Sequence, residues 1–98
     1  MPKEAEIRKK AIQILKKAGW AVWYAPKTRY HHADIFTIGD VLAWKNRSLK
    51  IIQLTTTENK AARAKKIRSY LQKNNLSGLR IEIWAYAKRN RKFVIEKI

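Results

Sequence analysis

Asp40 and Gln53 are the residues whose types and spacing point most directly to chemistry. They stand at the two ends of DVLAWKNRSLKIIQ, a stretch that reads as a β-hairpin. With Lys45 to Ser48 as its loop, Trp44 faces Leu49, Leu42 faces Ile51 and Asp40 faces Gln53, because each pair adds to the same register. Opposed side chains in such a ladder have Cβ atoms about 4.5–5.5 Å apart. A carboxylate oxygen and an amide oxygen at that separation can share one hard cation. Without further context the same pair is a buried acid–amide hydrogen bond.

The elements that must position this pair follow in the order helix, strand, hairpin, helix, hairpin. Pro2 suits a first helical turn, and Ile7, Ala11, Ile14, Leu15 and Ala18 form a stripe that stops at Gly19, so a helix is expected over residues 3–18. Trp20 to Tyr24 is aromatic and β-branched and reads as a strand, followed by Ala25-Pro26 and the basic loop KTRYHH. After the hairpin, Ala61, Ala64, Ile67 and Leu71 mark a second helix from beyond Thr57 to about Asn74. Leu79, Ile81, Ile83, Ala85 and Ala87 then alternate with Arg80, Glu82, Trp84 and Tyr86, and the turn KRNRK leads to FVIEKI as a last strand. The expectation is an α/β fold, αβββαββ, with a mixed central sheet flanked by helices and residues 1–98 forming one domain.

Twenty-three Lys and Arg against seven Asp and Glu give a net charge of +16. That density points to a polyanion as partner, and nucleic acid fits better than a membrane surface because the cations recur in both helices, the turns and the C-terminal region. The chain has no cysteine, which excludes disulfides, zinc–thiolate sites and thiol nucleophiles and fits an intracellular protein. No apolar run approaches the roughly 20 residues that span a bilayer. The start MPKEAEIRKK lacks the apolar stretch of a secretory signal, so the mature chain is expected to begin here, in a prokaryotic cytoplasm or, for a viral protein, that of its host.

The order of elements, with an acid opening the second strand and Gln53-Leu54-Thr55 late in the third, resembles the PD-(D/E)XK nucleases. The plan is similar to that of archaeal Holliday junction resolvases, whose N-terminal helix also ends like Lys-Ala-Gly-Trp here. DIFTIGDVLAW followed by IIQLTTTENKAARAKKI is similar to phage and archaeal members in which Gln-x-Thr replaces Glu-x-Lys and an Arg and a Lys follow on the next helix. The specific motif spans about residues 34–67. The resemblance implies a restriction-endonuclease-like core and a Mg²⁺- or Mn²⁺-dependent endonuclease that hydrolyses DNA, with branched DNA as a candidate substrate. A homodimer would supply the two symmetric cuts of junction resolution. The alternative is a DNA-binding protein that keeps the nuclease fold but has lost catalysis through Gln53 and Thr55.

On that resemblance, Asp40 is the principal metal ligand, Gln53 offers a neutral carbonyl oxygen and the Leu54 backbone carbonyl is a third ligand. Thr55 stands where the family has lysine and can donate a hydrogen bond without supplying a cation. Arg63 and Lys66, three apart on one helical face, are the candidates to replace that charge. Glu4 is the candidate second carboxylate, seven residues before Ala11, although counting back from Gly19 puts Arg8 at the family's helix glutamate. Asp34 shares strand parity with Asp40 unless Gly39 interrupts the strand. Phosphate contacts are expected from Lys27, Arg29, His31, His32, Lys60, Arg63, Lys66, Arg89 and Arg91. Trp20, Trp23, Trp44 and Trp84 all lie on expected strands and are assigned to the core rather than to base stacking.

Overall fold

Ile7, Ala11 and Leu15 recur at helical spacing and are all buried in the computed structural model, which describes residues 4–24, 39–75, 78 and 80–98. They are the inner face of helix α1 (Glu4–Lys17). The helix ends as its sequence suggests. Gly19 adopts φ 91°, its N–H bonds the Lys16 carbonyl at 3.0 Å, and the Trp20 N–H bonds the Leu15 carbonyl at 2.9 Å, the paired bonds of a Schellman cap. The buried stripe is narrower than the spacing predicts, because Ile14 and Ala18 are exposed. Ile14 looks into a trough of about 970 Å³ beside Phe93 and Ile95, with Lys10, Lys17 and Arg91 along its walls.

The strands are β1 (Ala21–Tyr24), β2 (Val41–Lys45), β3 (Ser48–Thr56), β4 (Arg80–Ala87) and β5 (Lys92–Lys97), and helix α2 (Lys60–Lys73) separates β3 from β4. They form one mixed sheet in the order β1-β2-β3-β4-β5. The first three strands are antiparallel neighbours, β4 is parallel to β3, and β5 returns antiparallel. A parallel neighbour requires a crossover, and α2 supplies it. The expected hairpin register is the observed one: Leu42 pairs with Ile51 and Trp44 with Leu49. The loop is tighter than expected, since Lys45 pairs with Ser48 and leaves Asn46 and Arg47 to turn the chain, with Asn46 at φ 54°. Asn tolerates that left-handed conformation better than most residues.

Alternation along the strands divides the core into two layers. Val41, Ala43, Ile52 and Trp84 pack with Ala11 and Leu15 of α1, whereas Ile51, Ile81 and Ile83 pack with Ala64 and Ile67 of α2. The helices therefore cover opposite faces, with Gln53 and Thr55 on the α2 face by parity with Ile51. Ala61, expected in the buried stripe of α2, is exposed. The predicted in–out alternation of β4 also fails: Ile81 to Tyr86 are all buried, because β4 lies between two strands with a packed cluster on each face. Among the described residues, no helix is long and apolar enough to cross a membrane.

One consequence of burying both faces of β4 is a buried ion pair. Lys50 and Glu82 are only 7% and 3% exposed, and Lys50 Nζ lies 2.9 Å from Glu82 Oε1. Trp84 Nε1 donates to the same carboxylate at 3.0 Å, Arg80 reaches its other oxygen at 3.2 Å, and the Lys50 ammonium sits 4.3 Å from the Trp20 ring centroid. Burial pushes the Glu82 carboxyl up, but the hydrogen bonds from Trp84 and Lys50 and the charges of Lys50 and Arg80 together hold it below its ordinary value of 4.5.

Candidate active site

Strand β2 begins at Val41, so Asp40 is the residue just before it and falls opposite Gln53 in the continued register, with Gly39 before it in an isolated β-bridge. The Asp40 N–H still bonds the Ile52 carbonyl at 2.8 Å. Gly39 permits this approach: a methyl group there would overlap Ile51 Cγ2. The side chain then completes the join. Asp40 Oδ2 accepts from Gln53 Nε2 at 2.8 Å and from the Leu54 N–H at 2.9 Å, and Gln53 Nε2 also donates to the Leu54 carbonyl at 3.0 Å. Gln53 is buried and Asp40 half-buried.

The three residues expected to hold a metal thus converge on one point. Asp40 Oδ2 and the Leu54 carbonyl both lie within hydrogen-bonding distance of a single amide nitrogen. Turning the Gln53 amide over would exchange that nitrogen for Oε1 and present three oxygens, one of them charged, to a cation. An amide's oxygen and nitrogen are assigned by the hydrogen-bond network around them. With Asp40 ionised and no cation present, that network favours the nitrogen facing the carboxylate. The donor set fits Mg²⁺ or Mn²⁺, which bind through one or two carboxylates and keep several waters. Among the described residues no group of three or more His, Asp or Glu side chains could hold a metal.

Thr55 lies on the same face as Gln53 and is half-buried. Arg63 and Lys66 are exposed in the first half of α2. Arg68, on the other flank of this helix, reaches Glu96 of β5 at 3.3 Å, so the flank carrying Arg63 is turned toward β2, with Lys66 further round toward solvent. Lys60, expected to contact phosphate, is paired with Glu96 at 3.2 Å. Arg89 and Arg91 are exposed in the turn from β4 to β5. Because Thr56 pairs in parallel with Tyr86, that turn lies at the same end of the sheet as Asp40 and Gln53.

Glu4 opens α1, whose N-terminal half is tied to this same end: the Arg8 guanidinium lies 4.9 Å from the Tyr24 ring centroid, and Lys10 Nζ donates to the Tyr86 hydroxyl at 2.9 Å. That helix, however, packs on the face opposite Gln53. Lys27, Arg29, His31, His32 and Asp34 lie outside the described residues.

Two features escaped the sequence reading. Glu58, in the turn after β3, is a further acid at this end of the sheet; its own backbone hydrogen bond, then the Thr56 hydroxyl and the Lys88 charge, hold its carboxyl below 4.5. The available signal was its position three residues after Thr55. The second is a correction: Trp23 and Trp44 are 53% and 62% exposed rather than core, while Trp84 is buried and Trp20 partly buried as expected. A tryptophan on a strand reaches the core only where a helix covers it, and α2 lies over β3 and β4. Compared with known proteins, the chain matches no family model and no curated protein sequence.

Proposed function

We propose that this chain is a divalent-metal-dependent DNA endonuclease of the PD-(D/E)XK kind, centred on Asp40, Gln53 and the Leu54 carbonyl. The observation that carries the reading is the placement of one amide nitrogen 2.8 Å from Asp40 Oδ2 and 3.0 Å from the Leu54 oxygen, where the chain enters β2. The order of elements, with an antiparallel β1-β2-β3 unit joined through α2 to a parallel β4, supports the restriction-endonuclease-like arrangement. Magnesium or manganese bound by these oxygens would acidify an attacking water and offset the charge of the scissile phosphate. Asp40 supplies the only formal charge among the three ligands. The Thr55 hydroxyl can donate a hydrogen bond to a phosphate oxygen, and Arg63 and Lys66 can supply the positive charge that Thr55 lacks. Arg89 and Arg91, exposed in the turn at the same end of the sheet, can contact backbone phosphates, Arg91 from the α1 side. A four-way junction is the branched substrate this reading favours, with a homodimer making the paired cuts.

A second reading has its own observation. The Gln53 amide nitrogen donates to both Asp40 and the Leu54 carbonyl, the bonding of a purely structural pair. The chain would then bind DNA through the same fold without cutting it. Cleavage of labelled four-way junction, duplex and single-stranded DNA in Mg²⁺, Mn²⁺ or EDTA separates the two. The nuclease reading expects metal-dependent cutting that Asp40→Ala abolishes and Gln53→Ala weakens. Binding by the wild type with no scission in either metal would favour the second.

A further inference from the structure

Trp23 and Trp44 are exposed on the same face of the sheet. Trp23 pairs with Leu42 and Trp44 with Ala21, so the two indoles stand diagonally across β1 and β2 and share the parity of Leu42, Ile51 and Gln53. Leu49, 40% exposed, faces Trp44 across the hairpin and extends the patch. The Trp44 indole N–H is already bonded to the Asn46 carbonyl at 2.8 Å, so this side chain offers a fixed π-face rather than a donor. The turn beneath it is anchored in turn, because Lys45 Nζ donates to the Ala18 carbonyl at 2.7 Å.

The charge around the patch identifies its occupant. Arg63 is on the flank of α2 opposite Arg68, Lys66 is exposed further round the helix, and Arg47 is exposed in the hairpin turn. Among the described residues the acids on or beside this face are Asp40, in the candidate site, Glu58, in the turn leading into α2, and Glu96, on the far strand and paired with Lys60 and Arg68. A second copy of the chain would bring another +16 to a surface that is already basic. Flat aromatic faces bordered by cations suit a strand whose bases are unstacked, since every base has a π-face and its phosphates need counter-charge. Paired bases in a duplex keep their faces covered.

We propose that Trp23 and Trp44 form a stacking platform for unpaired DNA bases, continuous with the Asp40–Gln53 site on the same sheet face. The proposal rests on the reading that the chain acts on DNA, and it selects DNA with single-stranded or splayed nucleotides over intact duplex. Base stacking on an aromatic is lost with a roughly 5- to 150-fold fall in affinity per base.

The test is the affinity of the whole chain for fluorescein-labelled oligo-dT and for blunt duplex of equal length, in EDTA at fixed salt. Trp23→Ala and Trp44→Ala are expected to weaken oligo-dT binding by that factor and leave duplex binding nearly unchanged, with an unaltered salt dependence. Trp23→Phe and Trp44→Phe should restore most of it, and Ile95→Ala, on the opposite face, should have no effect. Equal losses on both DNAs, or none, would overturn the proposal. So would unchanged DNA affinity with loss of self-association in sedimentation, which would assign the patch to a second copy, or tighter binding of oligo-U than of oligo-dT. Because no cutting is measured, a chain that never cleaves DNA can still pass this test. One that cleaves DNA with both alanine variants unimpaired on oligo-dT fails it alone.

Discussion

Asp40 carries both a structural and a proposed chemical role, and two substitutions distinguish them. Asp40→Ala removes the acceptor shared by Gln53 Nε2 and the Leu54 N–H, and stranding a buried donor costs roughly 1–3 kcal/mol. Asp40→Asn keeps an oxygen in place and discards the charge. Urea denaturation should therefore find the alanine variant clearly less stable and the asparagine variant closer to wild type, while both lose metal-dependent cutting. Gln53→Glu makes the opposite change. It places a second carboxylate against the first, so melting should occur at lower temperature in EDTA and recover as Mg²⁺ or Mn²⁺ is added. The facing of these two residues was legible because strand parity has a period of two and the hairpin loop sets its phase. Burial of Lys50 was not. Its parity puts it on an apolar face, but the partner that makes burial tolerable, Glu82, comes from a strand reached only through the α2 crossover.

At the scale of elements, the positioning of the site depends on how closely the chain before β2 approaches β3. Gly39→Ala would force a methyl group into Ile51. Overpacking of this kind typically costs about 1–3 kcal/mol, and thermal melting should show the loss together with reduced protection of the Leu54 amide in hydrogen exchange. The central strands make a second prediction. Glu82 has a folded pKa below 4.5, so the stabilisation from its ionised form is present above pH 4.5 and is lost as pH falls from there through the folded value. Glu82→Gln leaves Lys50 buried without a counter-charge, and breaking such a pair costs roughly 3–5 kcal/mol. This variant should be weaker at neutral pH and should show less further loss on acidification. The elements themselves were legible from periodicity and end signals, including the αβββαββ order. The solvent exposure of Trp23 and Trp44 was not, because it depends on which strands two helices leave uncovered, and no local pattern reports that.

At the scale of the whole molecule, a net charge of +16 dominates behaviour toward polyanions. The cations occupy both sides of the sheet: Lys10, Lys17 and Arg91 border the trough beside α1, and Arg63 and Lys66 lie on α2. DNA affinity should fall steeply with salt, by about 0.9 in log K per log unit of salt for each phosphate contacted on duplex. Replacing Arg63 or Lys66 by alanine should reduce that slope by about one each, if each contacts a phosphate. Such binding belongs to the nuclease and to the non-cleaving DNA-binding protein alike. Scission does not. The decisive measurement is the nicking of supercoiled plasmid in Mn²⁺, at protein concentrations that saturate binding, by the wild type and Asp40→Asn side by side. Nicking by the wild type that EDTA and Asp40→Asn both abolish is the expected result. Saturated binding without nicking by the wild type, or nicking that survives Asp40→Asn, would contradict an active site at Asp40.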